Sequence, residues 1–277
     1  NGYPTERIPF SYDAIDQVAV ELAPFDVEYG SFTACNINAV SKSGTNEFHG
    51  SAFIDYTSDQ FTGDRVEDRE YDLGAFDEYR YGFTLGGPII KDKLFFFGAY
   101  EKFEGSNVFG FTPEGAGVST AEYNQIIDIA EGYGYIAGGL PSAIDVEDEK
   151  ILAKLDWNIT DQHRASFTYN YNDGFNISPS DSGSNRLADG NHYYERGAEL
   201  NSYSASLYSD WTDNFSTDIR VSYIDLANRQ NPVLGLDNFG EVQVRLDSGS
   251  TVYLGADDSR HANKLSYDLW NYKAAAN

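Results

Sequence analysis

Methionine is absent from the 277 residues, and cysteine occurs once, at Cys35. A single cysteine excludes an intrachain disulfide, and the expectation for Cys35 is a small buried side chain rather than a redox centre. Basic residues are scarce: 19 Lys and Arg stand against 44 Asp and Glu, a net charge of −25. Phosphate binding needs clustered Lys and Arg, so no nucleic acid is expected as a partner. The same scarcity argues against docking on anionic lipid through a basic patch. No run of 18 apolar residues occurs, so no membrane-spanning helix is expected. Barrel strands cross a membrane with short alternating segments and are not excluded. The start, NGYPTERIPF, lacks a charged-then-apolar leader and an initiator Met, and the last residues read KAAAN. The expectation is an internal piece of a longer protein.

Catalytic signatures are missing too. There is no Gly-x-Ser-x-Gly elbow, phosphate loop or His-Glu-x-x-His motif, and the chain is not expected to be an enzyme. The four histidines, His49, His163, His192 and His261, show no metal-ligand spacing among themselves and are read as structural or solvated.

What is abundant is aromatic: 21 Tyr and 18 Phe. Together with Gly, Asn, Ser and Asp they favour strands joined by polar loops. The aromatics alternate. Tyr79, Tyr81, Phe83 and Leu85 interleave with Arg80, Gly82, Thr84 and Gly86. Ile151, Ala153, Leu155, Trp157 and Ile159 interleave with Leu152, Lys154, Asp156 and Asn158, and a returning segment carries Ala165, Phe167, Tyr169 and Tyr171 opposite Arg164, Ser166, Thr168 and Asn170. The unit recurs around the turn Thr212-Asp213-Asn214, with Ile219, Val221 and Tyr223 opposite Asp218, Arg220 and Ser222. Each is an antiparallel hairpin with one apolar and one polar face.

The connections alternate in length. Turns near 88–92, 160–163 and 212–214 are short, whereas 57–78, 105–148, 173–198 and 227–262 read as long loops. Compact soluble domains rarely carry several such loops. Outer-membrane barrels carry short periplasmic turns and long extracellular loops. A soluble β-sandwich would alternate as well; strands of about 9–13 residues and the one-sided long loops count against it. Inside one loop, Ser119-Thr120-Ala121-Glu122 has capping-box spacing, followed by Ile126, Ile127 and Ala130 and then Gly132, which predicts a helix.

Residues 1–42 lack barrel-length alternation and are broken by Pro24, Gly30 and Asn36. Lys42-Ser43-Gly44-Thr45-Asn46 then leads into a long strand from Phe48 to Tyr56. Here the stretch IDQVAVELAPFDVEYGSFTACNINAVSKSGTNEFHGSAF resembles the end of the plug of TonB-dependent receptors running into the first barrel strand. GGPIIKDKLFFFGAYE and LDWNITDQHRASFTYNY resemble barrel hairpins of the Oar-like branch. The resemblance covers about 8–56 and 79–173, and the rest more loosely.

That resemblance implies a mainly β fold: an antiparallel transmembrane β-barrel of about 22 strands preceded by a plug. Residues 1–44 would be the C-terminal part of the plug, and 45–277 the N-terminal portion of the barrel. About eight strands are legible, and a closed eight-stranded barrel would leave no room for a plug, so the sheet is expected to continue. The implied function is TonB-dependent transport of an unidentified substrate across the outer membrane of a Gram-negative bacterium. The implied partners are the TonB system of the inner membrane, outer-membrane lipid and lipopolysaccharide, and the transported ligand. The rival readings are a passive or adhesive outer-membrane barrel and a secreted carbohydrate-binding β-sandwich.

Site candidates follow from the faces. Arg80, Lys154, Asp156, Arg164, Asp218 and Arg220 lie on polar faces and are expected to face the lumen, since Lys or Arg at the lipid midplane costs about 2–4 kcal/mol. They are candidates for contact with plug or substrate. Among loop residues, Asp64, Glu67, Asp68, Tyr71, Asp72, Asp257 and Asp258 are candidates for ligand or cation binding, with Ca2+ in acidic loops as the cofactor to consider. Asp145, Glu147, Asp148 and Glu149 form a similar acidic group. No firm metal site and no catalytic residue is expected. Gly30, Gly44 and Gly50 are read as turns and close approaches between plug and wall.

Overall fold

A computed structural model describes residues 8–22, 35–63, 65–66, 69–70, 75–233 and 239–277. The alternating segments all form strands. In chain order these are β1 (Ile15–Leu22), β2 (Cys35–Ser41), β3 (His49–Ser58), β4 (Arg65–Val66), β5 (Arg69–Glu70), β6 (Asp77–Ile90), β7 (Leu94–Val108), β8 (Ala143–Asn158), β9 (His163–Ser178), β10 (Arg186–Ala188), β11 (Tyr194–Thr212), β12 (Phe215–Arg229), β13 (Val242–Arg245), β14 (Thr251–Leu254) and β15 (Ser266–Ala276). The helices are α1 (Thr120–Glu131) and α2 (Asp258–His261).

Eight of these strands form one antiparallel sheet in the order β15-β12-β11-β9-β8-β7-β6-β3. The sheet does not close on itself: β3 and β15 are its edges. Neighbours in the sequence are neighbours in space, which is what short hairpin turns dictate. Strands β6, β7, β8, β9, β11 and β12 run 14 to 19 residues, longer than the alternation alone indicated. The extra length lies at the long-loop end, where polar residues such as Asp145, Glu147 and Asp148 continue the ladder with β7 instead of leaving it. An antiparallel ladder satisfies backbone groups whatever the side chains are. The first three long connections therefore shorten to 59–76, 109–142 and 179–193, and the fourth shifts to 230–265 without change of length.

The register decides the two faces. Rows such as Leu85–Gly98–Ala153–Tyr169–Tyr203–Tyr223–Trp270 and Gly87–Phe96–Leu155–Phe167–Ala205–Val221–Tyr272 run across the sheet on one face. On this open face Trp157, Phe167 and Tyr272 remain 50, 44 and 69% exposed. So much apolar area facing outward is what a lipid-facing wall requires and what a soluble domain avoids. From Ile151 to Ile159 the band spans eight residue steps, about 27 Å along the strand. Tyr169, Tyr203, Tyr223 and Trp270 form an aromatic ladder along one row, with ring centroids 4.9, 6.3 and 4.8 Å apart.

The opposite face is covered. β1 and β2 pair as an antiparallel hairpin that lies against it, and Ala14 packs with Phe97, Ala99 and Leu152 of the wall. The link from β2 to β3 is extended. A Cβ at Gly44 would strike the carbonyl oxygens of Phe96 and Gly87, so only glycine lets this segment pass so close to the strand ends. Asn46 then clamps the β6–β7 turn: its amide donates to Asp92 Oδ1 at 2.6 Å, and Asp92 N–H donates back to Asn46 Oδ1 at 2.8 Å. Gly30 lies outside the described residues, as does the side chain of Cys35.

The long connections build a cap at one end of the wall. The expected helix is α1, and Ser119 caps it in a reciprocal box with Glu122. α1 packs through Tyr123 and Ala130 on Leu187 of β10 and on Val252 and Leu254 of β14. β14 pairs parallel with β10 and antiparallel with β13, so three separate connections share one core.

Candidate functional site: the covered face and the loop cap

All six wall candidates lie on the covered face. Arg80 shares a row with Phe103, Asp148, Gly174 and Ala198; Lys154 with Phe97, Thr168 and Ser204; Asp156 with Ser166, Ser206 and Arg220; Arg164 with Tyr208 and Asp218.

The most buried part of this face is ionic. Glu101, Asp148 and Lys150 are 2, 1 and 5% exposed. Lys150 Nζ lies 3.1 Å from Glu101 Oε1 and 2.8 Å from Asp148 Oδ2. Arg80 Nε stands 3.9 Å from the same Glu101 oxygen. Asn172 donates to Asp148 Oδ1 at 2.6 Å. Two cations and two carboxylates balance, which is the condition for burying charge without severe cost. The other oxygen of Glu101 accepts the backbone N–H of Tyr12 at 3.3 Å, so this network reaches the N-terminal segment.

Two further wall residues do the same. Lys154 Nζ donates to Ser43 Oγ at 2.8 Å and to the Ser41 carbonyl at 3.4 Å, and it stands 3.9 Å from Asp156 Oδ2. Asn170 Nδ2 donates to the Pro9 carbonyl at 3.1 Å. Between segment and wall remain two clefts, of about 530 Å³ beside Lys42, Ser43 and Thr84 and about 310 Å³ beside Phe10, Asn170 and Ser202. Arg164, Asp218 and Arg220 do not join this contact. Arg164 lies 5.0 Å over the Tyr208 ring, and Arg220 forms a two-bond pair with Asp218 at 3.2 and 2.8 Å.

Glu101 and Lys150 were missed by reading the sequence, and Asn170 was placed on the polar face without being singled out. The signal for Lys150 was parity, since it lies four residues from Lys154 on β8; no polar-face position had been named on β7 to reveal Glu101. Asp148 was grouped with loop acids, yet it sits in β8 and faces the covered side, whereas Glu147 faces the open side and pairs with Lys102.

Of the loop candidates, Asp64, Glu67, Asp68, Tyr71 and Asp72 lie outside the described residues. Asp257 is buried and caps α2: its Oδ1 accepts Ser259 Oγ at 2.7 Å and Arg260 N–H at 3.1 Å, and its Oδ2 accepts Ser180 Oγ. Burial works to raise its carboxyl, but these donors outweigh burial and hold it below the usual carboxylate range. Asp258 is exposed, and its N–H donates to Glu241 Oε2 at 3.3 Å.

The cap turns on a residue the sequence did not single out. Asp189 is fully buried and accepts four donors: Tyr123 OH at 2.9 Å, Tyr135 OH, Gly138 N–H at 2.8 Å and Asn191 N–H at 3.2 Å. Burial, and then the Asp189 carboxylate, push both tyrosine hydroxyls well above the ordinary phenol range. A raised folded-state value means that the stability from these phenols is fully present below about pH 10 and declines as pH rises above it. The cap is therefore expected to loosen in alkali before the wall does. Hydrogen exchange of residues 120–140 that stays flat up to pH 11 would contradict this.

Comparison with known proteins agrees with the geometry. The profile for the family described as "Outer membrane beta barrel domain" matches residues 40–122. The TonB-dependent transporter Oar of Myxococcus xanthus is 39% identical over 103 residues, covering 33% of this chain and 9% of that protein. The probable TonB-dependent siderophore receptor PirA of Acinetobacter baumannii is 28% identical over 210 residues, covering 72% of this chain and 24% of that protein. The chain thus spans a tenth to a quarter of the length of these relatives. Among solved structures, the outer membrane transporter YddB of Escherichia coli superposes with a TM-score of 0.60 at 12% identity, over 95% of this chain and 32% of that one. The PirA structure gives 0.55 at 19% identity, over 94% and 31%. The relatives are named transporters and receptors, in keeping with a protein that is not an enzyme. The eight-stranded sheet is similar to outer-membrane β-barrel wall, its relatives are TonB-dependent transporters and receptors, and these likenesses indicate the outer membrane of a Gram-negative bacterium.

Proposed function

We propose that the chain is part of a TonB-dependent transporter, with residues 1–44 as the C-terminal part of a plug and 45–277 as the first portion of a barrel of about 22 strands. The observation that carries this reading is the N-terminal hairpin held on the polar face of the wall. It is held through Glu101 to Tyr12, Asn170 to Pro9, and Lys154 to Ser41 and Ser43. These are separate hydrogen bonds beside one small apolar contact at Ala14, and open clefts flank them. Such a contact orders a segment and still permits its release.

In this mechanism the loop cap captures a substrate, the substrate reaches the plug, and the TonB system of the inner membrane supplies the pull that moves it. Arg80, Lys154 and Asp156 hold plug and path in register, while Arg164, Asp218 and Arg220 line the lumen further along. The wall sits in outer-membrane lipid with lipopolysaccharide around its outer rim. The net charge of −25 favours a neutral or cationic cargo, or one carried with a metal ion. PirA is named a siderophore receptor, which puts ferric siderophores first among cargoes to try. Calcium binding by the loop acids Asp64, Glu67, Asp68, Asp72, Asp257 and Asp258 belongs to the same proposal. Calorimetry with Ca2+ that shows no heat removes it.

The test is uptake by cells carrying the full-length protein, with TonB present and with TonB removed, across labelled ferric siderophores, cobalamin, glycans and peptides. The expected result is uptake of one class that stops without TonB. Uptake that continues without TonB would favour the passive barrel, and a protein that stays in solution without detergent would favour the sandwich.

A further inference from the structure

The cap contains a buried histidine whose surroundings do not balance as they stand. His192 is fully buried. Its Nδ1 lies 2.9 Å from the Gly255 carbonyl oxygen. A carbonyl only accepts, so Nδ1 carries the ring proton. In the neutral ring this leaves a lone pair on Nε2, and among the described residues no donor reaches it. What faces Nε2 instead is a pair of carboxylates: Asp181 Oδ2 at 3.3 Å and Asp257 Oδ2 at 4.0 Å. Ser180 Oγ serves Asp257 Oδ2, and the acceptors left facing one another repel unless positive charge sits among them. A second proton on the ring would serve Asp181, but 4.0 Å is too long for a hydrogen bond to Asp257.

The dimensions suit a metal ion. The three ligand atoms all lie within 4.8 Å of one another. Neighbouring ligands around tetrahedral zinc are about 3.3 Å apart, given bonds of about 2.0–2.1 Å. Larger separations occur between ligands that open to admit a fifth. Imidazole with two carboxylates is a donor set for zinc and its neighbours, whereas calcium and magnesium take oxygen alone. One neutral imidazole and two carboxylates also cancel the charge of a divalent ion, as a buried site requires.

The outer layer is in place. Metal-ligating histidines usually donate their other N–H to a carbonyl or carboxylate, as His192 does to Gly255. Arg186 Nη1 holds Asp181 Oδ1 at 2.9 Å, and Ser180, Ser259 and the Arg260 N–H fix Asp257. His192 and Asp257 are closed off, but the Asp181 side chain is 31% exposed and leaves an open approach.

We propose that Asp181 Oδ2, His192 Nε2 and Asp257 Oδ2 form a binding site for a divalent transition-metal ion of the zinc type. The ion ties the connection 179–193 to the connection 230–265. Its occupancy does not depend on whether the barrel transports anything.

The experiment uses full-length protein extracted from membranes in detergent, stripped with a chelator and titrated with zinc chloride by calorimetry. The expected result is one saturable site, weakened at least tenfold in both His192→Gln and Asp257→Asn and not displaced by excess Ca2+. The zinc-edge X-ray absorption of the loaded wild-type protein should show scattering from one imidazole among oxygen ligands. No saturable zinc binding would overturn the proposal. Should the variants lose their fold, the wild-type spectrum decides: absence of imidazole scattering refutes the site.

Discussion

Alanine at position 189 is expected to open the loop cap while leaving the eight-stranded wall in the membrane. The carboxylate it removes is the common acceptor of Tyr123, Tyr135, Gly138 and Asn191. All four donors converge on this one carboxylate, beside the single bonds from Gly190 N–H to the Gly139 carbonyl and from the Asn191 amide to the Ile136 carbonyl. An unsatisfied buried donor costs about 1–3 kcal/mol, and the four losses overlap because the loops relax together. A local loss of roughly 3 kcal/mol is a reasonable total, which corresponds to about a hundredfold faster opening. Hydrogen exchange of peptides from 120–140, 186–193 and 251–256 measures it directly. The wall peptides should not change. Equal protection in the variant and the parent would mean that Asp189 is a passenger in a cap held by Tyr123, Leu187 and Leu254 alone.

The second large effect concerns insertion. Phe167 sits in an apolar row between Leu155 and Ala205 on the open face. Arginine there is expected to cost about 2–4 kcal/mol if the row lies near the bilayer midplane. Arg164 is three residues away on the same strand and on the other face, over the Tyr208 ring. Its loss removes a cation–π contact of about 0.5–1 kcal/mol and nothing that faces lipid. Phe167→Arg should therefore reduce the fraction assembled in the outer membrane severalfold, whereas Arg164→Ala should assemble like the parent. Heat-modifiable mobility on gels separates folded from unfolded barrel. Equal assembly of the two variants would invert the assignment of faces.

Much of the wall was legible because a strand has period two and the register preserves it. Once Tyr79, Phe83, Leu155 and Phe167 are placed on one side, Arg80, Lys154 and Asp156 must take the other. The helix after Ser119 was legible for a local reason as well, the spacing of Ser119 and Glu122. Strand ends were less legible. Polar residues such as Asp145 and Glu147 carry no alternation of hydrophobicity, yet the ladder continues through them. The cap was not legible at all. Asp189 gathers donors from residues 51 to 66 positions away, and His192 meets Asp257 only because β14 pairs with β10. Contacts fixed by a parallel pairing between distant loops leave no periodic trace. The polar wall residues were placed on a face by their sequence pattern, but only the fold distinguishes Lys154, which reaches Ser43, from Arg220, which turns to Asp218.

The hairpin on the covered face has a mechanical consequence. Its hydrogen-bonded anchors, at Pro9, Tyr12, Asp13 and Ser41–Ser43, are made by different strands: Asn170 on β9, Glu101 on β7, Ser51 on β3 and Lys154 on β8. They are not a ladder whose bonds must all fail at once. Tension applied from the Pro9 side loads Asn170 first, then Glu101, and Lys154 last. Such peeling needs far less force than shearing two strands past each other, and the wall ladder bears none of it. The wall can stay rigid while the segment lying on it comes away one bond at a time.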